Sequence, residues 1–272
     1  MIQLMHNWVV PSPLPPIEVL DKVGSTNALL MERGRSGAVH GAAVRARVQT
    51  AGRGRRAHGW SSPKGGLYLS VLVRPHAAAG QLPGLPVACA LGIVDALHSV
   101  GCLQAKLKWP NDVVVGRAKL AGILTELGQR DTGSFAVCGV GVNVSEPEEG
   151  ATMPGALVPV GLATSLNVGC TLPSLDELAE CVRTGILSAV ESWERGLAGC
   201  GENTAPLFGI VDAYNERLAF RGERVSVFAI DGARVFDGTL LGVDEEGHAL
   251  VRDDVGCNRV LDASRVSIRP VE

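Results

Sequence analysis

The sequence predicts an α+β fold in which an α/β-type mixed sheet packs against helices, followed by a small all-β domain. Strand-like and helix-like segments are mixed along residues 1–220, as in layered folds of sheet and helix. After Phe220 the segments become short, strand-like and separated by Asp-Gly and Glu-Gly turns. A chain of 272 residues with 46% hydrophobic content is long enough to bury a large core.

The individual elements follow from capping residues and from the spacing of apolar side chains. Helices are predicted at 25–35, 85–100, 174–199 and 205–218. Strands are predicted at 44–49, 67–73, 105–109, 113–115, 119–127 and 135–144. We predict two domains, 1–220 and 221–272, and expect the smaller one to pack on the larger because about fifty residues bury little core alone.

The cysteines and the N-terminal composition predict a cytoplasmic protein. Seven cysteines are scattered without a CxxC pair, which favours reduced thiols over a disulfide framework. The first sixteen residues contain four prolines and neither a basic leader nor a long apolar core. No run approaches the roughly eighteen apolar residues of a membrane helix. We therefore expect no membrane partner.

Charge is distributed unevenly along the chain, although its net value is only −3. Between Glu32 and Asp95 there are nine basic residues and no acidic one. Such a local bias implies an anionic partner. From residue 221 onward ten acidic residues face seven basic ones, whereas a nucleic-acid-binding protein usually keeps basic charge over a broad surface. A nucleic-acid partner is therefore not expected.

Residues 52–60 (GRGRRAHGW), here called the arginine loop, are the first candidate site. Glycines allow positive φ and close approach to a ligand, while arginines offer forked donors to carboxylate or phosphate. The spacing also fits a dinucleotide-binding fingerprint, but the glycines and proline within 59–66 prevent a helix from following. A phosphate-binding GK[ST] motif is absent. A solvated basic turn remains an alternative.

Two further segments carry candidate groups. In KWPND, Pro110 ends a strand and leaves Asn111 and Asp112 at its edge, where they serve either as chemical groups or as an Asx-turn. In KLAGIL, Lys119 precedes an apolar strand in which Gly122 removes side-chain bulk. A solvated lysine at a sheet edge is the simpler alternative for Lys119.

Taken together, five motifs resemble the ordered signature of biotin–protein ligases over residues 20–145. They are GSTN at 24–27, QTAGRGRRxxxW at 49–60, KWPNDV at 108–113, KLAGIL at 119–124 and GVGVNV at 139–144. The resemblance implies a catalytic domain like that of class II synthetases and an SH3-like C-terminal barrel. It implies a ligase that forms biotinyl-5′-AMP from biotin and Mg²⁺-ATP, releases pyrophosphate, and transfers biotin to a lysine of a biotin carboxyl carrier domain of a biotin-dependent carboxylase.

The resemblance also implies roles for individual residues. Arg55, Lys119 and Asp112 are the expected catalytic residues, with Asp112 either accepting the proton of the acceptor lysine or positioning that lysine. Biotin is expected to contact Ser25, Thr26, Asn27, Gln49, Arg53, Arg55, Trp60, Lys119 and Gly122. ATP and the adenylate are expected to contact Arg53, Arg55, Arg56, Trp60, Asn111, Lys119 and Asn143. No metal ligand is assigned.

The sequence departs from the family pattern in the arginine loop. The family's loop usually continues GRGRRGR, whereas this chain has Ala57 and His58 there. A catalytically weak biotin sensor is therefore one alternative, and a lipoate ligase with a related fold is another. GSTN begins at residue 24, so we expect a short form without an N-terminal DNA-binding domain and no repressor function. A homodimer is consistent with the family.

Overall fold

A seven-stranded mixed sheet is the centre of the larger part of the protein. The computed structural model describes residues 14–57, 59–131, 133–145 and 157–271. In chain order the strands are β1 (Glu18–Leu20), β2 (Ala43–Ala46), β3 (Leu67–Val73), β4 (Ala105–Lys108), β5 (Asp112–Val115), β6 (Ala118–Arg130) and β7 (Gly133–Val142). Their order across the sheet is β1-β2-β3-β7-β6-β5-β4. β1 and β2 are parallel, and the other neighbours are antiparallel.

Within the described ranges, five α-helices accompany this sheet. They are α1 (Thr26–Arg35), α2 (Leu85–Ser99), α3 (Leu162–Ser165), α4 (Leu175–Leu197) and α5 (Val211–Arg217). Ser25 caps α1 by accepting a hydrogen bond from the amide of Ala28. Ser174 and Glu177 form a reciprocal capping box at the start of α4. These caps explain why both helices begin where the sequence predicts.

The helices cover both faces of the sheet. On one face, Leu30 and Met31 of α1 pack with Val44, Leu72 and Phe135. On the other face, α2 and α4 pack against each other, and α4 packs against β3 while α2 packs against β4 and β6. α2 and α4 meet at Gly92 and Gly185, where a Cβ on either glycine would overlap the carbonyl oxygen of the other. The α1 face is the one that carries the candidate site.

A five-stranded antiparallel sheet follows α5. Its strands are β8 (Arg224–Ala229), β9 (Arg234–Val243), β10 (Ala249–Asp253), β11 (Asn258–Leu261) and β12 (Val266–Pro270), arranged β11-β10-β9-β8-β12. Its buried side chains continue the main hydrophobic core, and the indole of Trp109 donates to the carbonyl of Gly247 at 3.0 Å. The predicted α+β class is confirmed, and this sheet is consistent with an SH3-like domain. The boundary at 220/221 stays a prediction.

Three sequence predictions need correction. The helix predicted at 205–218 begins only at Val211, because Pro206 provides no amide donor and Gly209 has a φ of 75°. The strand predicted at 44–49 ends at Ala46, and its Arg45 is buried rather than half-exposed. The segment Ala79–Ser99 is long and apolar enough by composition to span a membrane, contrary to expectation; 72% of its apolar window is buried, as in a core helix.

Candidate active site

The first turn of α1 is joined to the ends of the arginine loop by uncharged polar groups. The amide and hydroxyl of Thr26 lie 2.9 and 3.1 Å from Oε1 of Gln49. Nε2 of Gln49 donates to the hydroxyl of Ser62 at 2.9 Å, and that hydroxyl donates to the carbonyl of Trp60. Ser25 and Thr26 are both buried. We call Ser25, Thr26, Gln49 and Ser62 the neutral polar cluster.

The same helix turn is fixed to the sheet beneath it. Ser70 of β3, which is fully buried, lies 2.8 Å from the hydroxyl of Thr26 and 2.6 Å from Oδ1 of Asn27. Nδ2 of Asn27 donates to Leu124 and to a carboxylate oxygen of Glu126, both in β6. Ser70 of β3 and Glu126 of β6 therefore supply polar groups to this face of the sheet. The helix start is held rigidly in place.

Two paired glycines form a flat floor beneath the indole of Trp60. Gly122 of β6 and Gly141 of β7 are direct partners across the sheet. A Cβ at Gly122 would lie 2.7 Å from the Trp60 ring, and one at Gly141 would overlap its Nε1. Nε1 of Trp60 is buried, and no described group accepts its hydrogen. Only glycine at these two positions lets the ring approach the strands this closely.

We expect Gly141→Ala to displace Trp60. The added methyl group overlaps the indole, so the ring moves toward solvent and stability falls by about 1–3 kcal/mol. Acrylamide quenching of tryptophan fluorescence measures the exposure of the indole rings. The difference between Gly141→Ala and Gly141→Ala/Trp60→Phe gives the part that comes from Trp60. Gly196→Ala is the matched control, because a Cβ there meets no atom within 4 Å. Unchanged quenching in Gly141→Ala would show that Trp60 does not depend on the glycine floor.

A cluster of three charged side chains lies at the edge of β5. Asp112 accepts a hydrogen bond from Lys108 at 3.3 Å through one carboxylate oxygen and contacts Nζ of Lys119 at 2.6 Å through the other. Nζ of Lys119 also lies 5.2 Å from the centre of the Trp60 ring, within cation–π range. Asn143 donates to the carbonyl of Lys119 at 3.1 Å. We call Lys108, Asp112 and Lys119 the lysine–aspartate cluster.

Burial and charge act in opposite directions on this cluster. Burial lowers the pKa of Lys108, and the negative charge of Asp112 opposes that effect only in part. Burial alone would raise the pKa of Asp112, but the charges of Lys108 and Lys119, with their hydrogen bonds, lower it overall. Asp112 is therefore a carboxylate at neutral pH and a weak proton acceptor. Its geometry suits holding a cation more than accepting a proton.

Arg55 and Arg56 of the arginine loop reach toward the C-terminal sheet. Arg55 donates to Oδ1 of Asn111 at 3.3 Å and to the carbonyl of Ala263 at 2.9 Å. Arg56 donates to the same carbonyl at 2.5 Å and to that of Val266 at 3.3 Å. Burial and the neighbouring charge of Arg56 lower the pKa of Arg55. Neither arginine forms a salt bridge in the part of the chain that the structure describes.

The backbone of the arginine loop differs from the prediction. Gly52 does not adopt positive φ; a Cβ there would overlap the carbonyl oxygen of Trp60, so its small size is what matters. Positive φ occurs instead at Arg56, where φ is 53°. His58 and the side chain of Ala57, where the loop departs from the family pattern, lie outside the described residues.

The basic stretch between Glu32 and Asp95 is partly neutralised by acidic residues from elsewhere. Arg33 pairs with Glu18, Arg45 with Asp176, Arg47 with Asp21 and Arg53 with Glu126. Four of the nine basic residues of this stretch therefore have carboxylate partners within the protein. Arg55 and Arg56, which contact carbonyl and amide oxygens, remain the arginines of this stretch best placed for an anion.

The structure brings most of the predicted site residues onto one face of the sheet. Ser62 of the neutral polar cluster donates to the carbonyl of Trp60, and Nζ of Lys119 lies over the ring of the same residue. Asn111 connects Arg55 to β6 by donating to the carbonyl of Ile123 at 3.0 Å. Such an arrangement suits an elongated ligand with an uncharged polar head, an apolar middle and an anionic end.

Sequence reasoning missed four contributors to this face. Lys108 lies within the KWPND motif, but no role is predicted for it, although its i,i+4 spacing to Asp112 is compatible with an ion pair. Ser70 and Glu126 were detectable by the two-residue alternation of their strands, which places Glu126 on the same face as Gly122. Ser62 had no sequence signal. The carbonyl groups of the C-terminal sheet had none either, since any residue supplies one.

Comparison with known proteins identifies chains of similar sequence and shape. Residues 19–143 match the Biotin/lipoate A/B protein ligase family. A biotin–[acetyl-CoA-carboxylase] ligase of Paracoccus denitrificans is 34% identical, over 91% of this chain and 98% of that protein. One from Mycobacterium tuberculosis is 32% identical, over 90% and 85%. The structure of a biotin protein ligase from Aquifex aeolicus in complex with biotin and ATP superimposes with a TM-score of 0.74 at 25% identity, covering 95% of this chain and all of that one.

Proposed function

The chain belongs to the biotin protein ligases, and on that premise we propose that it activates biotin with ATP and transfers it to a lysine of a carrier domain. Two relatives above 30% identity, each covered over more than two thirds of its length, support the membership. The observation in this chain that carries the proposal is that Trp60 contacts both the neutral polar cluster, through its carbonyl, and Lys119, through its ring. Biotin has the same three parts: a polar ureido ring, an apolar chain and a carboxylate.

We place the ureido ring against Ser25, Thr26 and Gln49. Hydroxyl and amide groups match its carbonyl and N–H groups without burying a charge. The glycine floor at Gly122 and Gly141 makes the space for flat apolar contact with Trp60. In this orientation the carboxylate of biotin points toward Lys119.

In the first step an oxygen of the biotin carboxylate attacks the α-phosphorus of ATP. A new P–O bond forms, the bond to the β-phosphate oxygen breaks, and pyrophosphate leaves with the electron pair. Two anions approach each other here, so fixed cations lower the barrier. We assign this role to Lys119 and Arg55, with Arg56 and Asn111 near the phosphates, Asn143 toward the nucleoside and Arg53 holding the arginine loop.

In the second step the neutral ε-amine of the acceptor lysine attacks the acyl carbon of biotinyl-adenylate. An amide bond forms, AMP leaves, and the amine loses a proton. Both oxygens of Asp112 face lysine ammonium groups, and its pKa is lowered. We therefore favour positioning, rather than proton acceptance, of the two roles considered for Asp112.

Mg²⁺ enters this scheme with ATP, bound to its phosphates. Among the residues that the structure describes, no three His, Cys, Asp or Glu side chains form a metal-binding group. Asn111, whose Oδ1 accepts a hydrogen bond from Arg55 at 3.3 Å, is our candidate for contact with the ion or a phosphate.

The cellular setting follows from the same proposal. The natural acceptor is a biotin carboxyl carrier domain of a biotin-dependent carboxylase, which fits the names of the similar ligases. We propose cytoplasmic action, without a membrane or nucleic-acid partner, and a homodimer as the assembly to test. The absence of a repressor function stays a prediction.

The test is to incubate the full chain with biotin, Mg²⁺-ATP and a purified carrier domain. We expect pyrophosphate release and a carrier lysine that carries biotin, detected by intact-mass spectrometry. A carrier whose acceptor lysine is replaced by arginine controls for nonspecific acylation. Lipoate replaces biotin in a parallel reaction. Preferred modification by lipoate would favour the lipoate-ligase alternative, and biotin binding without any product would favour a sensor.

A further inference from the structure

We propose that Glu126 is a positioning residue that holds the arginine loop closed over biotin and its adenylate. This inference rests on the proposed ligase function. Glu126 lies in β6, on the face of the sheet that carries the site. Its carboxylate accepts hydrogen bonds from two parts of the site. One is the first turn of α1, through Asn27. The other is the arginine loop, through Arg53.

The contacts of Glu126 define its role. Oε2 accepts a hydrogen bond from Nδ2 of Asn27 at 3.0 Å, and Oε1 accepts one from Nη2 of Arg53 at 2.8 Å. The side chain of Glu126 is 22% exposed, whereas that of Arg53 is 48% exposed. Asn27 is buried. The carboxylate thus transmits the fixed position of the helix to the more exposed loop.

Asn27 has no freedom to change its partners. Its Oδ1 faces the hydroxyl of Ser70 at 2.6 Å, and its Nδ2 also donates to the carbonyl of Leu124 at 3.1 Å. Turning the amide around would set Oδ1 against that carbonyl and the Glu126 carboxylate. A Cβ at Gly139 would overlap Oδ1 of Asn27, so the strand below also confines the side chain. Nδ2 therefore always points toward Glu126.

Both partners of Glu126 are donors, and this fixes the residue type. Arg53 has no acceptor atom on its side chain, and Asn27 presents only its amide hydrogens. In a glutamine at 126, the side-chain oxygen can still accept a hydrogen bond from one partner. The side-chain NH2 group then faces the other partner, Asn27 or Arg53, which is also a donor, so that hydrogen bond is lost. An aspartate is one methylene shorter and does not span both. The two contacts together require glutamate.

The charge of Glu126 is also informative. A carboxylate beside a site for anions repels the ligand and weakens binding on its own. Arg53 neutralises that charge and is at the same time drawn to the sheet. We infer that the pair serves loop closure, so its loss speeds release of the adenylate more than it slows the reaction at phosphorus.

The experiment compares Glu126→Gln, Glu126→Ala, Arg53→Gln and the double variant Arg53→Gln/Glu126→Gln with wild type. We expect Glu126→Gln to raise the KM for biotin and the release rate of bound biotinyl-adenylate by about threefold to tenfold, since the pair is partly exposed. The KM for ATP changes by less than about twofold. Because glutamine introduces a donor that faces another donor, Glu126→Gln is expected to change the KM for biotin and the adenylate release rate at least as much as Glu126→Ala.

The double variant provides the decisive comparison. If Glu126 acts by holding Arg53, the double variant is no worse than either single variant, because both break the same contact. Independent, multiplying effects would overturn the proposal, as would a wild-type adenylate release rate in Glu126→Gln. Thermal unfolding is measured for each variant. If Glu126→Gln does not fold, the adenylate release rate of Arg53→Gln tests the same contact, because this variant breaks it by changing the more exposed partner.

Glu191→Gln is the matched control, because Glu191 pairs with Arg195 on the exposed surface of α4. We expect wild-type kinetics for this variant. The assay also separates the two levels of inference. A wild-type chain that fails to biotinylate the carrier contradicts the proposed function, whereas active wild type with an unaffected Glu126→Gln contradicts only the role of Glu126.

Discussion

Lys119→Gln is expected to slow formation of biotinyl-adenylate by about 10²–10³-fold, the usual cost of removing one preorganised charge from a developing anionic centre. Lys119 contacts Asp112 at 2.6 Å and lies over Trp60, so its ammonium group is held before the reaction begins. Glutamine keeps a polar side chain but removes the charge. The measurement is biotin-dependent exchange of pyrophosphate into ATP.

The same variant is expected to transfer biotin from supplied biotinyl-adenylate with a much smaller loss. Lys106→Gln is the control, since Lys106 lies in β4 next to the site strands but is exposed. A comparable loss in both half-reactions would mean that Lys119 serves binding of the shared biotinyl group rather than attack at phosphorus. Wild-type exchange in Lys119→Gln would remove Lys119 from the catalytic assignment.

Asp112→Asn is expected to be the most destabilising single change at the site. It leaves Lys108, whose side chain is only 8% exposed, without its charged partner. Breaking a buried ion pair from one side costs about 3–5 kcal/mol of the free energy of unfolding. Activity falls as well, because Lys119 loses the carboxylate that positions it. Urea unfolding and pyrophosphate exchange measure the two effects separately.

A second variant distinguishes lost charge balance from lost packing. Lys108→Met/Asp112→Asn removes both buried charges, so it is expected to recover much of the stability lost in Asp112→Asn while remaining inactive. If the double variant is as unstable as the single one, the unpaired charge of Lys108 is not the cause.

The pH dependence of stability follows from the directions of the two pKa shifts. The pKa of Asp112 is lowered in the folded protein, so its contribution is present above the unfolded value of about 3.9 and is lost as pH falls through the folded value. Lys108 also has a lowered pKa, so the unfolded chain binds its proton more tightly. The cost of burying its charge therefore diminishes as pH rises toward about 10.4. In Asp112→Asn, Lys108 lacks the negative charge that opposes the lowering of its pKa, so this relief begins at lower pH than in wild type and the stability deficit shrinks as pH rises.

Much of the fold was predictable because the relevant signals are local. The strand Leu67–Val73 was predicted with its observed bounds, since a continuous apolar run between turn residues has few other uses. The start of α4 agrees with the helix predicted at 174–199, and the structure shows a Ser-x-x-Glu capping box there. The end of β2 was missed because Arg45, read as a solvated residue, is buried and pairs with Asp176, far along the chain.

The candidate site was predictable to the extent that its chemistry lies in side chains of short motifs. Lys119, Asp112 and Asn111 come from two such motifs and are brought together by the pairing of β5 with β6. Glu126 was missed because its importance comes from two partners, at positions 27 and 53, that only the folded sheet brings near it. The two-residue alternation along β6 indicates on which face of the sheet Glu126 lies, but it does not indicate which residues Glu126 contacts.

The contact of Arg55 and Arg56 with Ala263 and Val266 has a consequence for how such proteins diverge. The acceptors are main-chain carbonyl groups, so the residue types at 263 and 266 are free to drift without breaking the contact. Correlated substitutions between the arginine loop and the C-terminal sheet are therefore not required to preserve it. A chimaera that keeps the backbone path of residues 263–266 retains this connection even with an unrelated sequence there.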